Sequence, residues 1–170
     1  MQEQNNIIDN DNLLKEIENK KKIVEKKTDI KKIKMIMFYL NEKCYAVDSS
    51  YIQEIILDYP VYFLPFVPKY IRGLINRHGE PYTVVDLNQL YFKSNLDAKT
   101  FLVLRNKIDN AAILISGIFK IENFLEKDIH PVSSTDDQLS FFDSSLTYEG
   151  KEIFIINIKT ILERISNDIE

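Results

Sequence analysis

The sequence has few of the residues that build catalytic or cofactor sites. Its 170 residues include one cysteine, two histidines, four glycines and no tryptophan. A single cysteine excludes an intrachain disulfide and is typical of a reducing compartment. So few glycines argue against a loop that cradles a phosphate or a dinucleotide. No apolar run approaches the length of a membrane helix, and the polar N-terminus lacks the apolar core of a signal peptide, so we expect a cytoplasmic protein.

Charge is unevenly distributed along the chain, which carries a net charge of −4. Residues 1–34 hold nine lysines against seven acidic residues, whereas the remainder holds 13 basic against 19 acidic residues. An acidic globular part argues against a nucleic-acid-binding surface. The apolar fraction of 45% is enough for a packed core, and the length suits one domain or two small ones that share a core.

Residues 1–34 form a compositional region of their own, without glycine, proline or aromatic residues. Leu13, Leu14, Ile17 and Val24 recur at roughly helical spacing among lysines. The favoured interpretation is a charged, mobile and partly helical extension, because the charge density is high. The alternative is a short amphipathic helix that binds a partner or a membrane surface, and the interspersed acidic residues weaken the membrane version.

The rest of the chain has the pattern of short strands joined by tight turns. Apolar runs flank the polar stretches 41–43 and 149–151, and each arrangement indicates a β-hairpin. Residues 157–166 place apolar side chains at helical spacing after Asn157, a good N-cap, and so predict a closing helix. Many short strands with regular turns indicate either β-barrels or a sandwich, and the pattern alone leaves both open.

The central stretch of the sequence, residues 70–87, reads as two strands and a turn. Gly73 interrupts the first apolar run, and a glycine inside a strand marks a bulge or the close approach of another backbone. The segment His78–Pro81 predicts the turn. The valine-rich run 82–87 is too short for a helix and predicts a buried strand.

No constellation of residues in the sequence indicates catalysis or metal binding. Asp86 is expected to cap a helical turn, and the alternative is a carboxylate pair with Glu54. His78 and His130 are both expected at surface turns, and a metal or catalytic pair is the less favoured alternative. Cys44 lies on an alternating strand and is expected to be a small core side chain rather than a nucleophile. We therefore predict no catalytic residue, no metal and no cofactor.

A set of aromatic and arginine side chains surrounds the predicted central turns. Such residues are favoured at protein interfaces, so they indicate a binding module. For Phe63 and Phe66 the interior of a barrel is an equal alternative. The set comprises Tyr59, Tyr62, Phe63, Phe66, Tyr70, Arg72 and Arg77.

This central stretch resembles the CheW family of chemotaxis adaptor proteins. The family pattern is Leu-Pro-x-x-Pro-x-Tyr-x-x-Gly-x-x-Asn-x-Arg-Gly, followed by an apolar strand that ends in Asp-Leu. The resemblance extends over about residues 33–166. The matching residues, at unbroken spacing, are Leu64, Pro65, Pro68, Tyr70, Gly73, Asn76, Gly79, Asp86 and Leu87.

The resemblance implies an all-β fold of two SH3-like five-stranded barrels side by side, with a shared apolar seam and a short C-terminal helix. We expect a charged N-terminal extension over residues 1–34 and a CheW-like domain over residues 35–168. Within that domain, subdomain 1 is expected at about 35–92 and subdomain 2 at about 99–156. The helix at 157–166 would close the domain.

The resemblance also implies a non-enzymatic scaffold. It would couple the cytoplasmic tip of a methyl-accepting chemoreceptor to the regulatory domain of a CheA-type histidine kinase in bacterial chemotaxis. No receiver or kinase segment is visible, so we expect a stand-alone adaptor without nucleic-acid binding or membrane insertion, recruited to receptor clusters at the inner face of the membrane. The alternative is an adaptor of the same fold for another kinase pathway, such as surface motility or development. A small β-barrel enzyme is a more distant alternative.

Carried over by position, the receptor-binding surface of the family would comprise Ile52, Glu54, Gly73, Asn76 and His78. Ile52 would fit against an apolar side chain of a receptor helix, and Glu54 would pair with a receptor cation. For both residues, an ordinary strand position is the alternative. The resemblance assigns no kinase-binding residues here.

The chain departs from the family pattern at the arginine of the turn. Asn-x-Arg-Gly reads Asn-Arg-His-Gly at residues 76–79, so the arginine is displaced by one position. A shift of one residue in a strand turns a side chain to the opposite face, so Arg77 is not expected to replace the family arginine without a rearranged turn. His78 would be charged only near or below about pH 6.5. With Thr83 in place of a proline and Ser116 in place of an aspartate, we expect a divergent member with its own receptor or kinase preference.

Overall fold

The computed structural model describes residues 15, 16, 18, 31–105, 110–132 and 141–169. The chain divides into two units, residues 1–31 and residues 32–170. In the first unit, residues 15, 16 and 18 are helical. The other residues of the predicted extension up to residue 30 lie outside the described part. The prediction of a partly helical extension therefore agrees with those three residues and otherwise falls outside the described part of the chain.

The second unit consists of strands with two α-helices in its described part. The strands are β1 (Lys32–Leu40), β2 (Lys43–Asp48), β3 (Ile52–Leu57), β4 (Ile71–Arg77), β5 (Glu80–Asp86), β6 (Thr100–Leu104), β7 (Ala111–Ile115), β8 (Gly117–Leu125), β9 (Ile129–Pro131), β10 (Phe142–Tyr148) and β11 (Lys151–Ile156). The α-helices are α1 (Leu87–Phe92) and α2 (Ile158–Ile169), and 3-10 turns occur at Ser49–Tyr51 and Glu126–Asp128.

The strands form two sheets. The order is β8-β1-β2-β11-β10-β9 in the six-stranded sheet and β3-β6-β7-β5-β4 in the five-stranded sheet. Neighbours are antiparallel except for the pairs β2–β11 and β5–β7. This confirms the predicted all-β fold with two sheets and a C-terminal helix. One sheet has six strands rather than five because the three-residue β9 adds to β10.

The sheets do not follow the predicted division into consecutive subdomains, and that prediction is corrected. β1 pairs with β8, and β2 pairs with β11, although the partners come from opposite sides of the expected boundary. In the other sheet, β3 pairs with β6 and β5 pairs with β7 in the same way. Each sheet therefore combines strands from residues 35–92 and 99–156. Turn residues predict which strands form hairpins, whereas pairing between distant strands has no local signal.

The two sheets share one apolar core. Phe38 and Tyr45 of the six-stranded sheet belong to the same buried cluster as Phe101 and Ile113 of the five-stranded sheet. This agrees with the expected shared seam. A smaller cluster lies within the six-stranded sheet and comprises Met35, Met37, Ala46, Leu146, Ile153 and Ile155. Cys44 is half-buried against it, and burial raises the pKa of its thiol, as expected for a core side chain rather than a nucleophile.

Helix α2 closes the shared core. The Asn157 side chain accepts hydrogen bonds from the backbone N–H groups of Lys159 and Thr160, at 3.0 and 3.2 Å, so the predicted cap is confirmed. Ile158, Ile161 and Ile165 are buried in the core, which follows from their i, i+3 and i+7 spacing. The helix continues to residue 169, three residues beyond the predicted end.

Tyr70 anchors the far end of this helix. Its hydroxyl donates a hydrogen bond of 2.9 Å to Asp168. Burial and the neighbouring Asp168 carboxylate together raise the pKa of Tyr70. Tyr70 was expected among the exposed turn aromatics, but only 7% of it is exposed. The interpretation as an interface residue is therefore wrong for Tyr70, because its ring fills the core and its hydroxyl is satisfied inside the protein.

Asp86 is fully buried and caps α1, as predicted. One carboxylate oxygen accepts from the Gln89 N–H at 3.0 Å, and the other accepts from the Leu96 N–H at 2.9 Å. Arg72 approaches the second oxygen at 3.3 Å. Asp86 binds Gln89, Leu96 and Arg72, whereas Glu54 binds Arg77. The two carboxylates therefore do not form the pair that the sequence left as an alternative.

Candidate interaction surface

The hairpin between β4 and β5 turns at His78 and Gly79. Both have positive φ, 54° and 86°, as the favoured two-residue hairpin turn requires. The Gly79 N–H donates to the side-chain oxygen of Asn76 at 3.1 Å. The predicted turn is thus present, but Glu80 and Pro81 already belong to β5, where Pro81 lies opposite Asn76. Asn76 and His78 are both exposed at this tip.

Gly73 lies where another backbone crosses β4 at contact distance. A Cβ atom at this position would lie 2.1 Å from the carbonyl oxygen of Tyr62, and φ is +135°. Tyr62 and Leu74 exchange two backbone hydrogen bonds of 2.7 and 2.8 Å. The pairing of β4 with β5 also shifts register between Ile71 and Gly73. Both predicted roles of this glycine, a bulge and a close approach, are therefore present.

Glu54 of β3 and Arg77 of β4 form a bidentate ion pair. The Nε and Nη2 atoms of Arg77 donate to the two carboxylate oxygens of Glu54, each at 2.8 Å. These hydrogen bonds hold the pKa of Glu54 below its usual range and raise the pKa of Arg77. β3 and β4 are the two edge strands of the five-stranded sheet. The sheet must therefore curve until its edges approach, and the ion pair spans the opening.

The strand period explains why Arg77 can reach Glu54. Ile75 is fully buried, and Arg77 follows two residues later on the same face of β4. On β3, Ile56 is buried and Glu54 shares its face. Tyr59 completes the arrangement, because its hydroxyl donates to the Asn76 carbonyl at 2.7 Å and the Arg77 guanidinium lies 5.7 Å from the centre of its ring.

The predicted receptor-binding residues thus lie on the two edge strands of the five-stranded sheet and on the adjoining turn, where the Glu54–Arg77 ion pair joins the edges, but they differ in accessibility. Ile52 is only 5% exposed and belongs to the shared core. Gly73 is buried beneath the Tyr62 backbone. Glu54 is partly exposed, and both of its oxygens already bind Arg77. Asn76 and His78 are exposed and can contact a partner directly. The Ile52 side chain is buried and cannot contact a receptor side chain in this conformation.

The segment that leads from β3 to β4 exposes a run of large apolar side chains, which we call the aromatic segment (residues 57–66). Tyr62, Phe63 and Phe66 are 60%, 81% and 104% exposed. Phe63 and Phe66 therefore do not fill a barrel, because both side chains are exposed. Leu57 and Val61 are also exposed, and sequence reasoning missed them because each reads as an ordinary strand or loop residue.

An apolar groove is lined by residues of the six-stranded sheet and of α1. Its volume is about 490 Å³. The register of β1 with β8 shifts so that Phe119 is an extra residue, and such bulges reorient side chains. Phe119 then contacts Tyr39 and Tyr148. The lining residues include Tyr39, Lys43, Cys44, Phe92, Phe119, Tyr148 and Phe154.

His78 and His130 are both exposed, as predicted. Within the described ranges, no three histidine, cysteine or acidic side chains come together as metal ligands. No helix in the part of the chain that the structure describes is long and apolar enough to cross a membrane.

These features define a class of protein, a two-sheet β domain with an exposed apolar aromatic surface of the kind that is favoured at protein–protein interfaces. Comparison with protein-family models matches the CheW-like domain over residues 34–166. The chain therefore belongs to the CheW-like domain family.

Solved structures show the same fold. The crystal structure of the scaffolding protein TtCheW from Thermoanaerobacter tengcongensis superposes with a TM-score of 0.67 at 22% sequence identity. The match covers 75% of this chain and 86% of that chain. A comparison with curated proteins gave no match.

Proposed function

We propose that this chain is a non-enzymatic adaptor that couples the cytoplasmic tip of a chemoreceptor to the regulatory domain of a CheA-type histidine kinase. Membership of the CheW-like family supports this, because the family consists of scaffold proteins. The observation that carries the proposal is the exposed aromatic segment, because aromatic side chains left in water on a folded domain favour protein partners. In this proposal the protein works in the cytoplasm and is recruited to receptor clusters at the inner face of the membrane.

The receptor-binding surface in this proposal lies where the two edge strands β3 and β4 approach each other, and it includes the β4–β5 hairpin. Asn76 and His78 would contact the receptor directly, since both are exposed at the tip. Glu54 would act through its pair with Arg77, which fixes the hairpin against β3. Ile52 and Gly73 would shape the surface from beneath, because both are buried.

A second candidate is a CheW-like adaptor for another kinase pathway, such as surface motility or development. The observation that favours it is His78, which stands where the family pattern has arginine. Arginine is always charged, whereas a histidine is charged only near or below about pH 6.5. A receptor-binding surface with histidine at this position would therefore bind a different partner, or would bind its partner in a different pH range.

The experiment is a titration of a chemoreceptor-tip hairpin into the protein at pH 6 and pH 8. We expect the wild type to bind more tightly at pH 6, and His78→Arg to bind equally at both. His130→Gln is the matched control, because His130 is also exposed but lies on β9 of the other sheet. Equal binding of wild type and His78→Arg to several receptor tips at both pH values would count against this surface and against a distinct preference.

A further inference from the structure

A side chain from the aromatic segment holds the outer edge of β4 close to the hairpin tip. β4 is an edge strand, so one row of its backbone groups faces away from the sheet. Residues two apart in a strand present these groups on the same side, so Leu74 and Asn76 belong to one row. The Tyr62 backbone bonds Leu74, whereas the Asn76 carbonyl accepts a hydrogen bond of 2.7 Å from the Tyr59 hydroxyl. The position nearer the tip is therefore held by a side chain.

Tyr59 itself has a fixed place on the five-stranded sheet. The preceding residue, Asp58, has a φ of 48°, which turns the chain out of β3, and aspartate tolerates this conformation. The Asp58 N–H donates to the Lys99 carbonyl at 2.7 Å, one residue before β6 begins. The Tyr59 ring is half-buried and packs against the shared core. Because the ring is held at its base, the hydroxyl is a rigid support for the strand that it bonds.

The turn at the hairpin tip depends on support from outside its two central residues. A two-residue turn with two positive φ angles favours asparagine or aspartate before glycine, but here His78 precedes Gly79. The Gly79 N–H donates to the side-chain oxygen of Asn76 at 3.1 Å. Asn76 thus receives one hydrogen bond from Tyr59 and one from the turn. A displacement of Asn76 would move the turn, and His78 would move with it.

The Tyr59–Asn76 hydrogen bond acts on geometry more than on stability. It lies in an exposed place, where water competes for both groups and the net stabilisation of the fold is small. A binding surface that is already ordered loses less conformational freedom when its partner arrives. The hydroxyl therefore has its main effect on the order of the tip before binding.

We propose that Tyr59 is a positioning residue of the receptor-binding tip, whose hydroxyl holds His78 in place through Asn76. This inference rests on the proposed function and adds to it a residue that lies outside β3 and the hairpin. It differs from the role of Glu54, which bonds the Arg77 side chain, because Tyr59 bonds the backbone of β4.

The test uses Tyr59→Phe in the full chain, which removes the hydroxyl and keeps the ring. The midpoint of urea unfolding should stay close to that of the wild type. The Gly79 amide should exchange with solvent about fivefold faster or more, as measured by NMR on the free protein. Calorimetry should show that a chemoreceptor-tip hairpin binds about three- to tenfold more weakly. Tyr51→Phe is the matched control, because Tyr51 is also half-buried against the core but lies on the 3-10 turn before β3.

The free-protein and binding measurements separate this inference from the proposed function. Wild-type values of Gly79 exchange and receptor binding in Tyr59→Phe would refute the positioning role and leave the adaptor function standing. Faster Gly79 exchange with unchanged binding would also overturn it, because the order of the tip would then not matter for the partner. A lower unfolding midpoint with faster exchange throughout the domain, or an equal effect in Tyr51→Phe, would show a general structural role instead. If the folded wild type binds no receptor tip, the proposed function fails, and Gly79 exchange still decides whether Tyr59 holds the turn.

Discussion

Arg77 and Glu54 join the two edge strands of the five-stranded sheet through two hydrogen bonds of 2.8 Å. The sequence led us to expect that Arg77 could not take the place of the family arginine one position later. The structure gives Arg77 a role of its own, because it lies on the same strand face as the buried Ile75 and reaches Glu54 across the opening. The hairpin tip therefore keeps a fixed position relative to β3, while His78 stays exposed.

The ion pair predicts a pH dependence of stability. The pKa of Glu54 is lowered in the folded state by Arg77. Its contribution is therefore fully present above the ordinary glutamate pKa of about 4.3 and is lost as the pH falls through the lower folded value. We expect Glu54→Gln to be modestly less stable than the wild type at pH 7 and pH 5.5, with the difference shrinking below about pH 4. Urea unfolding at several pH values measures this. A difference that grows on acidification would contradict the assignment.

Gly73 is predicted to be intolerant of any side chain. In Gly73→Ala the new Cβ would meet the Tyr62 carbonyl oxygen at 2.1 Å, at a φ of +135°. We expect a loss of about 3 kcal/mol or more in the free energy of unfolding, because strain and clash act together. Gly117→Ala is the matched control, since a Cβ atom added at Gly117 would meet nothing within 4 Å. Similar midpoints of denaturant unfolding for the two variants would show that the backbone crossing is looser than described.

Asp86 is predicted to be a major determinant of stability. Its carboxylate is fully buried, caps α1 and receives the Leu96 N–H and Arg72. Asp86→Ala should cost about 3–5 kcal/mol, because it leaves buried donors unpaired and removes the partner of Arg72. Asp48→Ala removes a more exposed cap from the 3-10 turn at Ser49–Tyr51, and about 1 kcal/mol is expected. Thermal unfolding of both variants ranks them, and the reverse order would refute this account.

Helix α2 is predicted to stabilise the whole domain rather than itself alone. Ile161 is fully buried in the core shared by both sheets. Ile161→Ala should lower the free energy of unfolding by about 2–5 kcal/mol. Glu163→Ala, on the exposed face of the same helix, should change it by less than about 0.5 kcal/mol. Hydrogen exchange of the β1 and β6 amides reports the effect in each sheet. Protection lost in one sheet only would mean that the sheets unfold separately.

Much of the local structure follows from short-range signals in the sequence. The turn at His78 and Gly79, the caps at Asp86 and Asn157 and the apolar stripe of α2 each depend on residues within a few positions of one another. The exchange of strands between the sheets has no such signal. β1 pairs with β8 about 80 residues away in sequence, and that choice depends on the packing of the whole core.

The candidate surface was predicted less completely than the fold. Phe63 and Phe66 suit a core or an interface equally well by residue type, and only the three-dimensional path of the chain shows that they are exposed. Ile52 fitted the family's receptor surface by position, but its face of β3 points into the core. The partner of Arg77 was likewise not predicted, because β3 and β4 meet only when the sheet curves.

The most direct test of the adaptor function is sedimentation velocity of three components: this chain, a chemoreceptor-tip hairpin and the regulatory domain of a CheA-type kinase. An adaptor predicts a ternary species that forms only when this chain is present, together with binary complexes with each partner. If the folded chain forms no complex with the kinase domain, or if its two partners exclude each other, the central claim is contradicted.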